Sequence, residues 1–111
     1  MFGTKKLTFE AITPQQGEQR IRENNPLVID VRESYEYAMG HIAGSKLIPL
    51  GQLSSKLDTL GEKDQEIIVV CQSGARSNHA ANILAAAGFN KVADLKGGMS
   101  NWAWAGLPVQ K

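Results

Sequence analysis

The chain has 111 residues, of which 42% are hydrophobic and 21% charged, and its formal net charge is +1. That length predicts one domain, and the balance of residues is that of a folded chain rather than a disordered one. Charges are scattered with no block of one sign, which excludes the electrostatic footprint of nonspecific nucleic-acid or membrane binding.

Cys71 is the single cysteine. An intramolecular disulfide and a cysteine-rich metal site are therefore both excluded. Met1–Lys6 lead into Leu7-Thr8-Phe9-Glu10 rather than into a long apolar run, so neither a signal peptide nor a membrane span is expected. A lone thiol without an export signal points to the reducing cytosol, a cytoplasmic location.

Leu7 to Ile12 alternates loosely, as an edge strand does. A helix then starts: Thr13 can cap it, Pro14 suits its first position, and Gln16 completes a capping box. It should end near Asn24-Asn25-Pro26, because proline disfavours helix in the residue before it. Leu27-Val28-Ile29-Asp30-Val31 is a short apolar run with one acid near its end, and Glu66 to Cys71 is a second, stronger run. Such runs suit strands of a parallel sheet, which are buried on both faces. Lys46-Leu47-Ile48 and Lys91 to Leu95 read as weaker strands. Between them, Leu53, Leu57 and Leu60 give Gln52 to Leu60 a helical spacing. Ser77 to Ala87 is the clearest helix, with Ala80, Ile83, Leu84 and Ala87 in one stripe and Gly88 as a left-handed stop before Phe89. A last helix is expected over Met99 to Ala105. Strands alternating with helices predict an α/β fold, a parallel sheet covered on both faces.

Cys71 is expected at the carboxyl end of a strand, where ligands bind in open parallel sheets. A cysteine after a buried strand is, on its own, most often a small core residue. The segment that follows, Cys71-Gln72-Ser73-Gly74-Ala75-Arg76, reverses that reading. A merely structural connection has no need of small and polar residues ending in arginine. The thiolate is the nucleophilic form of cysteine, and the start of the helix near Ser77 supplies the positive potential and free amides that favour it. Gly74 lets the backbone curl so that amides point inward as an anion nest, and Arg76 is expected to add a fixed cation at the far end. The product is a pocket for an anionic sulfur or oxyanion over Cys71, without a separate general base.

In order and spacing these segments resemble the rhodanese family. The matching pieces are Val28-Ile29-Asp30-Val31-Arg32, Glu36-Tyr37, Gly40-His41-Ile42-Ala43-Gly44, Ile48-Pro49-Leu50, Cys71-Gln72-Ser73-Gly74-Ala75-Arg76-Ser77, Leu95-Lys96-Gly97-Gly98-Met99, Trp102, and Gly106-Leu107-Pro108-Val109. The resemblance runs from about residue 7 to residue 109, as one domain over 1–111. It implies a five-stranded parallel sheet with helices on both faces. It also implies a thiosulfate sulfurtransferase, in which Cys71 takes a sulfane sulfur from a small anionic donor and passes it, as a persulfide, to a thiol acceptor or to cyanide. The acceptor thiol can be a small molecule or a protein. No metal and no organic cofactor is implied. Cysteine phosphatases have a similar site but place the arginine one residue further on, where Ser77 stands here. A phosphatase or arsenate reductase is therefore a distant alternative. A persulfide carrier acting with a protein partner is a nearer one, and an inactive module is disfavoured by the intact cysteine loop.

Around this loop, Gln72, Ser73, Gly74, Ala75, Arg76 and Ser77 are the expected substrate-binding positions. Asp30 and Arg32 are possible supports for the pocket; the plainer expectation is an internal ion pair, or pairing of Arg32 with Glu33 or Glu36 that fixes the next turn. His41 reads as a hydrogen-bonded structural histidine, and His79 as an exposed polar residue. Trp102 and Trp104 stand two apart and cannot share a helix face, so one is expected in the core and the other partly exposed. Tyr35 and Tyr37 pose the same choice.

Overall fold

The computed structural model describes residues 9–111; Leu7 and Thr8 of the first expected strand, and Met1–Lys6, lie outside the described residues. The elements run β1 (Glu10–Ile12), α1 (Pro14–Asn24), β2 (Leu27–Asp30), α2 (Ser34–Met39), β3 (Lys46–Leu47), α3 (Leu50–Leu53), a 3-10 segment (Ser54–Thr59), β4 (Ile67–Val70), α4 (Ala75–Ala86), β5 (Val92–Leu95) and α5 (Gly98–Trp104). The five strands form one sheet in the order β1-β5-β4-β2-β3, with every pairing parallel.

Local chemistry explains most of these boundaries. At the start of α1, Gln16 N–H donates to Thr13 Oγ1 at 3.1 Å and Thr13 N–H to Gln16 Oε1 at 2.9 Å, so two otherwise orphaned donors are satisfied reciprocally. Asn25, left-handed at φ 49°, ends that helix. β4 is buried throughout, as a central parallel strand must be. Its alternating side chains supply two cores. Ile67 and Val69 face Leu53, Ala80, Ala81, Leu84 and Phe89 on the α3–α4 side. Ile68 and Val70 face Ile12, Leu95, Met99 and Trp102 on the α1–α5 side.

One expectation is corrected here, and one element is additional. The helix foreseen over Gln52 to Leu60 begins two residues earlier, and only Leu50–Leu53 is α-helical; the rest is 3-10. Leu53 and Leu60 are buried, so the apolar spacing was real, but it served a tightened connection rather than a regular helix. Helix α2 was not foreseen at all. None of its residues is buried, so it has no apolar stripe to read.

The topology also fixes where a site can form. From β4 the chain moves through α4 toward β5 and the β1 edge, whereas from β2 it moves through α2 toward β3 at the other edge. These adjacent strands thus send their following loops in opposite directions, leaving a crevice beyond their carboxyl ends. Cys71 follows β4 there, and Val31 and Arg32 follow β2.

Candidate active site

Cys71 is 1% exposed and belongs to the core on the α4 side. Beyond it the backbone curls at Gly74, whose φ of +114° is open to glycine and strained for other residues. The curl brings the Gly74 N–H to 2.9 Å from Cys71 Sγ. A backbone donor aimed at sulfur stabilises negative charge there.

The loop is held from behind by the start of α5. Met99 N–H donates to the Cys71 carbonyl at 2.8 Å, and Ser100 N–H to the Gln72 carbonyl at 3.0 Å. The free amides of one helix therefore satisfy the carbonyls of the cysteine loop. That approach needs Gly98, since a Cβ there would collide with the Cys71 carbonyl oxygen. Gln72 adds a side-chain bond, Nε2 to Ser100 Oγ at 3.2 Å. Ser73 is exposed at the loop's crest.

Helix α4 starts at Ala75, not near Ser77, so the connection is shorter than expected. Arg76 accordingly lies in the first helical turn rather than at the far end of a loop. Its Nη1 and Nη2 donate to the two carboxylate oxygens of Glu36 at 2.7 and 2.8 Å, a bidentate clasp between α4 and α2. The clasp holds the Glu36 carboxyl at about 2, well below the ordinary range, and drives the Arg76 guanidinium pKa further up.

Arg32 does not pair with Glu33 or Glu36. Its Nε donates to both Asp30 oxygens at 3.0 and 3.1 Å, and its Nη2 to Asp30 Oδ2 and to the Gly40 carbonyl, each at 2.8 Å. Its Nη1 reaches the Gln72 Oε1 at 3.1 Å, so this buried ion pair also touches the cysteine loop. Both arginines near Cys71 are thus engaged by carboxylates.

Ser77 is fully buried behind Cys71. The Cys71 thiol donates to Ser77 Oγ at 3.3 Å, and Ser77 Oγ–H donates to Asp94 Oδ1 at 2.6 Å. Asp94, on β5, is a partner that the sequence analysis does not single out. The signal was there: an acid inside the apolar run Val92-Ala93-Asp94-Leu95, the same anomaly that marked Asp30. Glu36, a piece of the family pattern and a candidate partner for Arg32, is instead clasped by Arg76 of α4.

The remaining candidates fall outside the pocket's chemistry. His41 stacks on Tyr37 with ring centroids 3.7 Å apart, and its Nδ1 donates to the Tyr37 carbonyl at 2.8 Å. Tyr37 Oη–H donates to the Ser45 carbonyl at 2.6 Å, while Tyr35 is exposed. His79 is exposed on α4. Trp102 is buried and Trp104 is 91% exposed. Among the described residues no group of three His, Cys, Asp or Glu could hold a metal, and no helix is long and apolar enough to cross a membrane.

Comparison with known proteins agrees with this geometry. A family model described as a rhodanese-like domain matches residues 13–105. The thiosulfate sulfurtransferase GlpE of Ectopseudomonas mendocina (strain ymp) is 38% identical over 94 residues, covering 85% of this chain and 84% of that protein. The putative sulfur carrier protein YrkF of Bacillus subtilis (strain 168) is 43% identical over 75 residues, which is 68% of this chain and 40% of that protein. The crystal structure of a rhodanese-related protein from Thermoplasma volcanium superposes with a TM-score of 0.83 at 35% identity, covering 91% of this chain and 97% of that one. With the cysteine loop at the switch point of a five-stranded parallel sheet and the match running from 13 to 105, this chain belongs to the rhodanese-like sulfurtransferase family.

Proposed function

We propose that this protein moves a sulfane sulfur from thiosulfate, or a similar small anionic donor, to a thiol or to cyanide through a persulfide on Cys71. The observation that carries the reading is the Gly74 amide aimed at the buried Cys71 sulfur beyond the central strand. The relatives named thiosulfate sulfurtransferase support the donor class. In the first half-reaction the Cys71 thiolate attacks the outer sulfur of thiosulfate. The S–S bond of the donor breaks, and sulfite leaves with its electron pair. In the second, an acceptor thiolate attacks the outer persulfide sulfur, and Cys71 leaves as a thiolate. Gly74 N–H stabilises the sulfur anion at both ends of the cycle. A reducing, cytoplasmic setting belongs to the same proposal, because the unmodified thiol must persist.

A second reading, a persulfide carrier that serves a protein partner, draws on a different observation. The Arg76 clasp with Glu36 and the Arg32 pair with Asp30 leave the pocket with hydrogen-bond donors but with both nearby cations already matched. Such a pocket suits a sulfur delivered from a docked protein as well as a free dianion.

The deciding experiment is to mix reduced protein with thiosulfate, remove the excess and take an intact mass. The expected result is a gain of one sulfur atom, absent in Cys71→Ser and reversed by a reductant. Folded, reduced protein that gains no sulfur from thiosulfate but accepts it from a protein persulfide would replace the enzyme with the carrier. Sulfur uptake by Cys71→Ser would refute both.

A further inference from the structure

Asp94 has no part in the sulfur transfer described above, yet it is 6% exposed and its acid is held in place by neutral groups. Asp30, the other buried acid of the sheet, is matched by Arg32. A carboxyl buried without a cation favours its protonated form. Burial indeed raises the Asp94 pKa, against the hydrogen bonds from Ser77 and Asn78 that pull it down. Ser77 Oγ lies 2.6 Å from Asp94 Oδ1 and 3.3 Å from Cys71 Sγ, so one buried hydroxyl spans the carboxyl and the nucleophile.

A hydroxyl has one proton to donate. With Asp94 ionised, Ser77 donates to the carboxylate and accepts from the Cys71 thiol. With Asp94 protonated, the carboxyl donates to Ser77 Oγ, and Ser77 turns its hydrogen to the Cys71 sulfur anion. Passing between these states breaks the Cys71 S–H bond and moves that proton to Ser77 Oγ, while the proton of Ser77 goes to Asp94 Oδ1. Charge and atoms balance with no further reagent.

We infer that Asp94 is a positioning residue for sulfur transfer: ionised, it keeps the proton on Cys71 through Ser77, and protonated, it turns the Ser77 hydroxyl toward the thiolate. This rests on Cys71 being the sulfur-carrying nucleophile. Among the described residues, the charged groups around the pair are few. Arg76 of α4 acts on Cys71 by its charge and is countered by Glu36 of α2. Asp30 and Arg32 close on each other at the end of β2, and Glu10 of β1 pairs with Arg20 of α1. His79 on α4 and Lys96 after β5 are exposed. Strand β4 and helix α5 carry no ionisable side chain. Among the described residues no cation pairs with Asp94, and a second buried anion bridged to it by one hydroxyl would repel it.

The test is the rate of Cys71 alkylation by iodoacetamide against pH in the wild type, Asp94→Asn, Ser77→Ala and the double variant. Intact mass after thiosulfate is recorded on the same samples. The Asn amide can donate to Ser77 as the protonated acid does, but it cannot ionise. Asp94→Asn should move the alkylation midpoint to lower pH by about 1 unit. In the Ser77→Ala background that shift should shrink to less than half. A folded Asp94→Asn with the wild-type midpoint would overturn the inference. So would an equal shift with and without Ser77, which would make Asp94 act through space alone. If Asp94→Asn does not fold, the Asp94 carboxyl carbon is followed by NMR instead. Two titration steps are expected in the wild type and one in Cys71→Ser; identical single steps would overturn it. Normal persulfide formation with an unshifted Asp94→Asn removes the relay and keeps the sulfur chemistry. Shifted midpoints in a protein that takes up no sulfur do the reverse.

Discussion

At Gly98 the backbone takes φ +58°, and an added Cβ would lie 2.8 Å from the carbonyl carbons of both Cys71 and Gln72. The residue therefore does two things at once: it opens α5, and it lets the α5 amides reach the carbonyls of the cysteine loop. Gly98→Ala meets backbone that has no flexible end to move aside. We expect a loss of at least about 2 kcal/mol in urea unfolding, together with a changed Cys71 alkylation rate in the folded fraction. Stability within about 0.5 kcal/mol of wild type would mean that α5 does not pin the loop. The same scale shows what a sequence reveals about a site. The segment from Cys71 to Arg76 stands out because its small and polar residues are contiguous beside a thiol, even though α4 takes in Ala75 and Arg76. The Asp94 contact with Ser77 joins residues 17 apart on different elements, so only the packing of α4 on β5 gives that acid a meaning.

Helix α2 is an element made by its end and its partner rather than by a buried face. Glu36 Oε1 accepts from the Glu33 N–H at 3.0 Å at the helix start, and the same oxygen accepts from Arg76 at 2.7 Å. Hydrophobic periodicity cannot announce such a helix, which is why α2 went unread while α1 and α4 did not. The misjudged start of α4 has a related cause. Ala75 carries no capping side chain and Gly74 enters in a left-handed conformation, so the sequence offers no Ser, Thr, Asp or Asn signal at the true boundary. The clasp has a testable pH signature. The Glu36 pKa falls from 4.5 to about 2 in the folded protein, mainly through its bonds to Arg76. A depressed acid contributes its stability above the unfolded pKa and loses it as pH falls through the folded one. Amide exchange protection of α2 should therefore decline between pH 4.5 and about 2. Glu36→Gln should show the low-pH behaviour at neutral pH and lose about 1 kcal/mol, since the pair is partly solvent-screened. Protection that is flat across this window would show that α2 is held by something other than the clasp.

Across the whole molecule, the alternation of apolar runs with amphipathic stretches was enough for a parallel sheet covered on both faces, because only buried strands tolerate such runs. The strand order was not legible that way. Which strand neighbours which depends on the direction of each crossover, and β3, with two residues in the ladder, has almost no pattern of its own. The order nonetheless creates the switch point between β2 and β4, and hence the crevice at Cys71. The C-terminal segment then ties the α1–α5 layer to that end of the fold. Trp102 Nε1–H donates to the Pro108 carbonyl at 2.8 Å, and Gln110 exchanges backbone bonds with His41 at 2.7 and 2.8 Å. Trp102 fills the core beside Ile12, Leu95 and Met99, whereas Trp104, two positions on, is 91% exposed. The two tryptophans thus separate packing from surface within one short helix. Trp102→Ala empties a large buried site and unties the segment, and should cost about 3–5 kcal/mol, a large part of the ~5–15 kcal/mol that holds a typical domain together. Trp104→Ala removes little that is buried and should stay within about 0.5 kcal/mol of wild type. Urea unfolding of both variants, followed by far-UV circular dichroism so that loss of the fluorophore does not intervene, decides the matter. Comparable costs for the two would mean that Trp104 is covered in solution, and that the layer formed by α1, α5 and the C-terminal segment is not the outer wall of the domain.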